Sequence, residues 1–383
     1  MPMDPIYFDH NATTPVAPAV VEAMWPFLHR EFGNPSSPHR FARKPAMAVA
    51  KAREQVAYLC GAPAPRHIVF TSGGTESNAL ALHAALAEQK GRDHILVSAV
   101  EHVSVLGWRS RWEAQGYTVQ VIPVDGAGRL DLSVMANALS DRTALVSVML
   151  ANNESGHLYP VAELAAMAHR FGALIHTDAS QAIGKIPVDL TALGVDYAVG
   201  CGHKYNAIKG IGFLYCAEPS SMSPFMAGGE QEMGVRPGTE SVPGIVALGA
   251  ASELAGEWLA STAPIAMARR REAFENWVTT SLAGTEIVGR NEPRLPNTTL
   301  LLVEGVETEP LLALLDLDGI ACSSGSACAS GAHEPSHVLA ALGKADGRAV
   351  VRVSAGRDTT DADYQRLQIV MSDSISRLRR HVS

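Results

Sequence analysis

The chain has 383 residues, of which 47% are hydrophobic, and carries a formal net charge of -8. That length predicts one large domain with a smaller companion, and the acidic balance supplies no broad positive field for nucleic acid. No apolar run approaches the roughly 18 residues of a membrane span. Met1-Pro2-Met3-Asp4-Pro5 lacks the charged-then-apolar order of a secretion signal, so a cytoplasmic protein is expected. Five cysteines (Cys60, Cys201, Cys216, Cys322, Cys328) without a paired CxxC motif give neither a disulfide framework nor a zinc site. Any special cysteine is therefore expected to be chemical, with Cys60, Cys216 and Cys322 read as core thiols.

Between Ile68 and Tyr215 short apolar runs alternate with helical segments, the pattern of an α/β sheet covered by helices. In chain order the runs are Ile68-Val69-Phe70, His94 to Ser98, Val119 to Ile122, Ala144 to Leu150, Ala173-Leu174-Ile175, Tyr197-Ala198-Val199 and Gly212 to Tyr215. Polar groups follow several of them: Ser72 to Ser77, Glu101-His102, Asn152-Asn153-Glu154, Asp178 to Gln181, and His203-Lys204. Ligands of open parallel sheets bind beyond the carboxyl ends of the strands, so these groups are expected in one crevice. After Pro243 a long helical stretch leads to strand-like Asn297 to Val303, an apolar helix from Pro310 to Leu317, and the alternating run Ala349 to Ser354. The expected division is a large domain of residues 16–255 and a smaller one of residues 1–15 with 256–383.

Lys204 and Asp178 carry the strongest chemical signal. Pyridoxal phosphate needs a lysine for its Schiff base and an acid that keeps its ring nitrogen protonated, and both stand here at strand ends. Read blandly, Asp178 is a helix cap and Lys204 a surface charge. Ser72-Gly73-Gly74-Thr75-Glu76-Ser77 has the composition of a phosphate cup at a helix start, where free amides and the helix dipole favour an anion. His102 is placed to stack on a planar ring or relay a proton. Asn153 and Gln181 are placed to hydrogen-bond a ring hydroxyl, although strand-end amides commonly just cap loops. The small-residue run Ser323 to Gly331 carries Cys328 near its centre, as a tether for a nucleophilic thiolate would. Arg352 suits a bidentate grip on an amino acid's carboxylate, or is an ordinary edge-strand arginine.

With these motifs, and with Asn11-Ala12-Thr13-Thr14-Pro15, Phe32 to Ser37 and Arg236-Pro237-Gly238-Thr239-Glu240, the chain resembles the cysteine desulfurases of the NifS/IscS type. These lie in the class V aminotransferase family of fold-type I pyridoxal phosphate enzymes. The resemblance implies a mainly parallel seven-stranded sheet flanked by helices, plus a smaller α+β domain. It implies that Lys204 carries the cofactor, that Asp178 pairs with the pyridinium nitrogen and that His102 stacks on the ring. Gly74, Thr75, Cys201 and His203 fall at phosphate-side positions, with Thr239 supplied across a homodimer interface. Asn153 and Arg352 are the substrate-binding candidates. The implied reaction takes L-cysteine to L-alanine, leaves a persulfide on Cys328, and passes that sulfur to iron-sulfur assembly or to tRNA or DNA thiolation. Ala207-Ile208 stand where relatives have Gly-Pro, Glu230 where a histidine is usual, and the chain ends at Ser383 without the extended tail of housekeeping members. The alternatives are a selenocysteine lyase or aminotransferase on the same fold, and a non-catalytic sulfur-transfer scaffold.

Overall fold

The computed structural model describes residues 4–325 and 336–382. Its strands are β1 (Ile6–Tyr7), β2 (Ile68–Thr71), β3 (His94–Ser98), β4 (Thr118–Ile122), β5 (Thr143–Ser147), β6 (Leu174–Asp178), β7 (Tyr197–Cys201), β8 (Gly212–Cys216), β9 (Thr285–Ile287), β10 (Thr298–Val303), β11 (Ile320–Ala321) and β12 (Ala349–Ser354). Seven of them form the main sheet in the order β2-β8-β7-β6-β5-β3-β4, and each of the seven apolar runs named above overlaps one of these strands. β3, β5 and β7 are buried along their whole length. Helices on both faces explain why such strands read as continuous apolar runs rather than as alternation.

Six of the seven strands point one way, and β8 alone is reversed, antiparallel to both β7 and β2. The link at 202–211 is too short for the crossover that a parallel return requires, so the chain turns back beside β7. Gly212 opens β8 directly beneath the Gly73–Gly74 turn. A Cβ there would stand 2.7 Å from the Gly73 Cα and 2.8 Å from the Gly200 carbonyl oxygen.

Two long helices, α1 (Pro18–His29) and α2 (Arg40–Leu59), precede β2, and α3 (Gly74–Glu88) follows it. After β8 come α4 (Val242–Ala260) and α5 (Ala263–Ser281), and α6 (Asp361–Val382) closes the described chain. Val49, Ala52 and Val56 of α2 join Ile245 and Leu248 of α4 in the core beneath the large sheet.

A second core gathers Phe8, Phe274, Leu301, Leu315, Val351, Leu367 and Met371 around the sheet β12-β10-β9. The amino-terminal segment belongs to it: β1 pairs in parallel with β11, and Phe8 is fully buried there. That segment then runs back to the large sheet, where Asn11 to Thr14 reach the end of β7. Among the described residues no helix is long and apolar enough to cross a membrane.

Candidate active site

The carboxyl ends of β2, β3, β5, β6 and β7 deliver their polar residues to one side of the sheet, each on the short turn that leaves a buried strand. At the end of β6 the Asp178 carboxylate accepts hydrogen bonds from Asn78 Nδ2 at 2.9 Å and from the Ser180 amide at 2.9 Å. Asn78 projects from α3, and its Oδ1 lies 3.0 Å from His176 Nε2, while His176 Nδ1 lies 2.9 Å from Ser147 Oγ. Burial drives the His176 pKa down to about 4, so the ring is neutral at pH 7. Asn78 presents its carbonyl to His176 because its amino group serves Asp178. His176 therefore carries its proton on Nε2 and accepts from Ser147 on Nδ1.

α3 begins at the Gly73–Gly74 turn, with Gly73 at a φ of 150° that favours glycine. A Cβ on Gly74 would lie 3.4 Å from Ser180 Oγ and 3.8 Å from Cys201 Sγ, so its absence keeps a small cradle open. Ser180 Oγ is buried there with no hydrogen-bond partner among the described residues. Thr75 is exposed on the same first turn. Burial raises the Cys201 thiol pKa, which keeps it protonated and unsuited to nucleophilic work. His203 Nδ1 contacts Thr13 Oγ1 at 3.1 Å. Burial first, then Lys204, Lys209 and Lys185, lower the His203 pKa to about 4.

Lys204 Nζ donates to the carbonyl oxygens of Asn11 at 2.7 Å and Ala12 at 2.8 Å. Gln181 Nε2 donates to the same Asn11 carbonyl at 2.9 Å. His102 caps a short helix, with Nδ1 accepting from the Ser104 amide at 3.2 Å and lying 2.8 Å from Ser104 Oγ. Its pKa is lowered by burial, helped by Lys204 and His337 and opposed by Asp178.

Arg352, on β12, is 1% exposed. Its Nη1 donates to the carbonyls of Asn153 at 3.0 Å and Gly325 at 2.9 Å, and Nη2 to Asp9 Oδ1 at 2.6 Å. Its Nε is buried and unpartnered among the described residues. The guanidinium thus lies inside the molecule and not on a wet edge. Asn153 is tied in through its backbone carbonyl, which also accepts from Asn11 Nδ2 at 3.2 Å. Close by, Glu154 is buried and accepts from Ser336 Oγ at 2.6 Å, and burial raises its pKa.

Thr239 lies apart from this cluster, lining a cavity of about 250 Å³ with Ser72, Gly210 and Arg236. Arg236 Nε donates to Glu76 Oε1 at 2.7 Å, which fastens the Thr239 loop to the first turn of α3. Ala207 is buried and Glu230 exposed. Cys60 and Cys216 are buried, each with a pKa pushed up to about 12, while Cys322 is partly exposed against the second core. Cys328 lies outside the described residues.

Sequence reasoning gave no individual role to Asn11, Asn78, His176, Ser180 or Lys185, although Asn11, His176 and Ser180 lie in segments it singled out. Asn78 carried a readable signal, because it falls one turn after Gly74 and faces the same way. Asn11 stood in a motif of the resemblance, but its role had no signal, since its partners lie more than a hundred residues away.

The class V aminotransferase family matches residues 6–367. A cysteine desulfurase of Gluconacetobacter diazotrophicus is 45% identical over 382 residues, covering 98% of this chain and 95% of that protein. Among solved structures, a NifS-like protein superposes with a TM-score of 0.89 at 33% identity, covering 97% of this chain and 99% of that one. A structure described as SspA in complex with cysteine superposes with a TM-score of 0.80 at 32% identity, covering 91% of this chain and 98% of that one.

Proposed function

The chain belongs to the class V aminotransferase family, and from that premise we propose that it is a cysteine desulfurase dependent on pyridoxal phosphate. It takes L-cysteine to L-alanine and holds the released sulfur as a persulfide on Cys328. The observation that carries this reading is the meeting of Asp178 and Lys204 at the ends of adjacent strands, beside a cradle that fits a phosphate. The fit rests on three features: the orphaned Ser180 hydroxyl, the missing side chain at Gly74 and the amides of a fifteen-residue helix.

When bound, the cofactor supplies an electron sink that absorbs the charge left by the substrate's alpha proton. Lys204 provides the amine that attaches it and later holds and moves that proton. Asp178, fixed by Asn78 and the Ser180 amide, keeps the ring nitrogen protonated. His102 would stack on the ring, and Gln181 and Asn153 would serve its oxygen. Gly74, Thr75, Cys201, His203 and the added Ser180 would receive the phosphate, with Thr239 offered to the partner subunit. Arg352 has already spent donors on Asp9 and on two carbonyls. Its Nε and one Nη2 hydrogen have no partner among the described residues, and they are the donors that Arg352 would offer the substrate carboxylate.

The Cys328 thiolate attacks the substrate sulfur and forms an S–S bond. The C–S pair stays with the substrate carbon, which is protonated and leaves as alanine.

The homodimer is supported by an exposed apolar patch on and after α1, where Trp25, Leu28, Phe32 and Phe41 are 58%, 53%, 74% and 54% exposed. We assign the cytoplasm as location, residues 16–255 and 1–15 with 256–383 as the two domains, and an iron-sulfur scaffold or a thiolation enzyme as sulfur acceptor. Alanine and enzyme-bound sulfur measured after L-cysteine addition test the activity. Transamination without sulfur release would contradict it.

A further inference from the structure

Lys185 is a buried amine to which the chemistry above gives no part. Its Nζ donates to Gln181 Oε1 at 2.5 Å and to Asn11 Oδ1 at 2.8 Å. We propose that Lys185 is a positioning residue that fixes the Gln181 amide toward the cofactor and, through Asn11, the place of the Lys204 amine. This inference rests on the reading of Lys204 as the cofactor's attachment point.

An amide can be flipped, but with its hydrogens directed at two oxygens Lys185 acts only as a donor, so both side-chain amides must turn oxygen-first toward it. Gln181 then presents its NH2 group to the Asn11 carbonyl at 2.9 Å, which uses one of its two hydrogens. The second hydrogen is the one that Gln181 would offer the cofactor's ring oxygen. Asn11 is fixed in the same way. Its Oδ1 accepts from Lys185 and from Asn297 Nδ2 at 3.1 Å, and its Nδ2 donates to Thr298 Oγ1 at 2.9 Å and to the Asn153 carbonyl. The Asn11 carbonyl that receives Lys204 Nζ at 2.7 Å is held by this network.

The charge state agrees with the geometry. Burial, then Lys204, Arg352 and Arg357, lower the Lys185 pKa well below the ordinary lysine value. His10 and His203 also face it, and both have pKa values lowered to about 4. In either charge state Nζ has hydrogens enough for the two oxygens it meets, and those contacts at 2.5 Å and 2.8 Å carry the positioning. A purely structural lysine would have no reason to act on the cofactor's own titration.

The test is a spectrophotometric pH titration of the holoenzyme's lysine-linked chromophore in four proteins: wild type, Lys185→Met, Gln181→Leu and the double variant. Losing the Gln181 donor removes stabilisation of the ring oxygen's anionic form, so Lys185→Met should raise the chromophore's apparent pKa by about one unit. Gln181→Leu should raise it similarly, and the double variant no further than either single change. An unshifted pKa in Lys185→Met, or shifts that simply add, overturns the proposal. Should Lys185→Met fail to fold, Lys185→Gln carries the test. Its amide still donates to one acceptor and should give a smaller shift of the same sign, while no shift overturns the proposal. A wild-type protein lacking any borohydride-reducible bond at Lys204 would instead overturn the underlying cofactor assignment.

Discussion

Lys204 and Asp178 drew a chemical reading from the sequence because Asp178 ends one buried strand and Lys204 stands three residues past another, where a charge is out of place unless something uses it. Lys204→Ala should abolish the borohydride-reducible link to the cofactor, and a reducible link surviving in that variant contradicts the assignment. Cys328→Ser should keep the cofactor and lose the persulfide, with sulfide release from L-cysteine falling at least a hundredfold if the thiol is the nucleophile. Unchanged release removes Cys328 from the mechanism. The individual roles of Asn11, Ser180 and Lys185 were not legible, because polar residues common in turns gain meaning only from partners far along the chain.

Glu101 gives a pH prediction of its own. Burial pushes its pKa from 4.5 up to about 8, against the hydrogen bonds from Ser98 and the Met149 amide. A raised acid pKa means that the fold keeps a proton that the unfolded chain gives up. Its stabilisation is whole below the unfolded pKa and is lost as pH rises through the folded one. Glu101→Gln should therefore gain thermal stability relative to wild type between pH 5 and pH 8. A difference that does not change with pH contradicts this.

Among the elements, the seven strands were readable from their apolar runs, and the reversal of β8 was not. Direction lies in the length of the link that precedes the strand, and the apolar pattern is the same in either sense. Gly212 shows what the reversal does for the site, since β8 can start only where the Gly73 backbone leaves no room for a side chain. Gly212→Ala should push that turn and weaken cofactor binding about tenfold, with a stability loss of about 1–3 kcal/mol. Equilibrium cofactor titration and thermal unfolding check both parts, and unchanged affinity means that the turn is not the phosphate cradle. The Arg352 strand was visible as an alternation, but the burial of its guanidinium was not. Asp9, which balances it, comes from the other end of the chain.

For the whole molecule, composition and length indicated two cores without a membrane span. They could not show that the first residues join the second core and then cross back to Lys204, because that depends on the parallel pairing of β1 with β11. This strap makes the small core part of the active site's support. The exposed Trp25, Leu28, Phe32 and Phe41 belong to the same scale. Light scattering should give twice the chain mass for the wild type and a shift toward the single-chain mass for Phe32→Asp. A monomeric wild type contradicts the dimer.

The central claim is that sulfur leaves L-cysteine for Cys328. The intact mass of the purified holoenzyme after brief exposure to L-cysteine without reductant, with peptide mapping and alanine quantified in parallel, tests it most directly. The account predicts one added sulfur on the Cys328 peptide together with alanine. Bound cofactor with neither product, or sulfur on another cysteine alone, contradicts it.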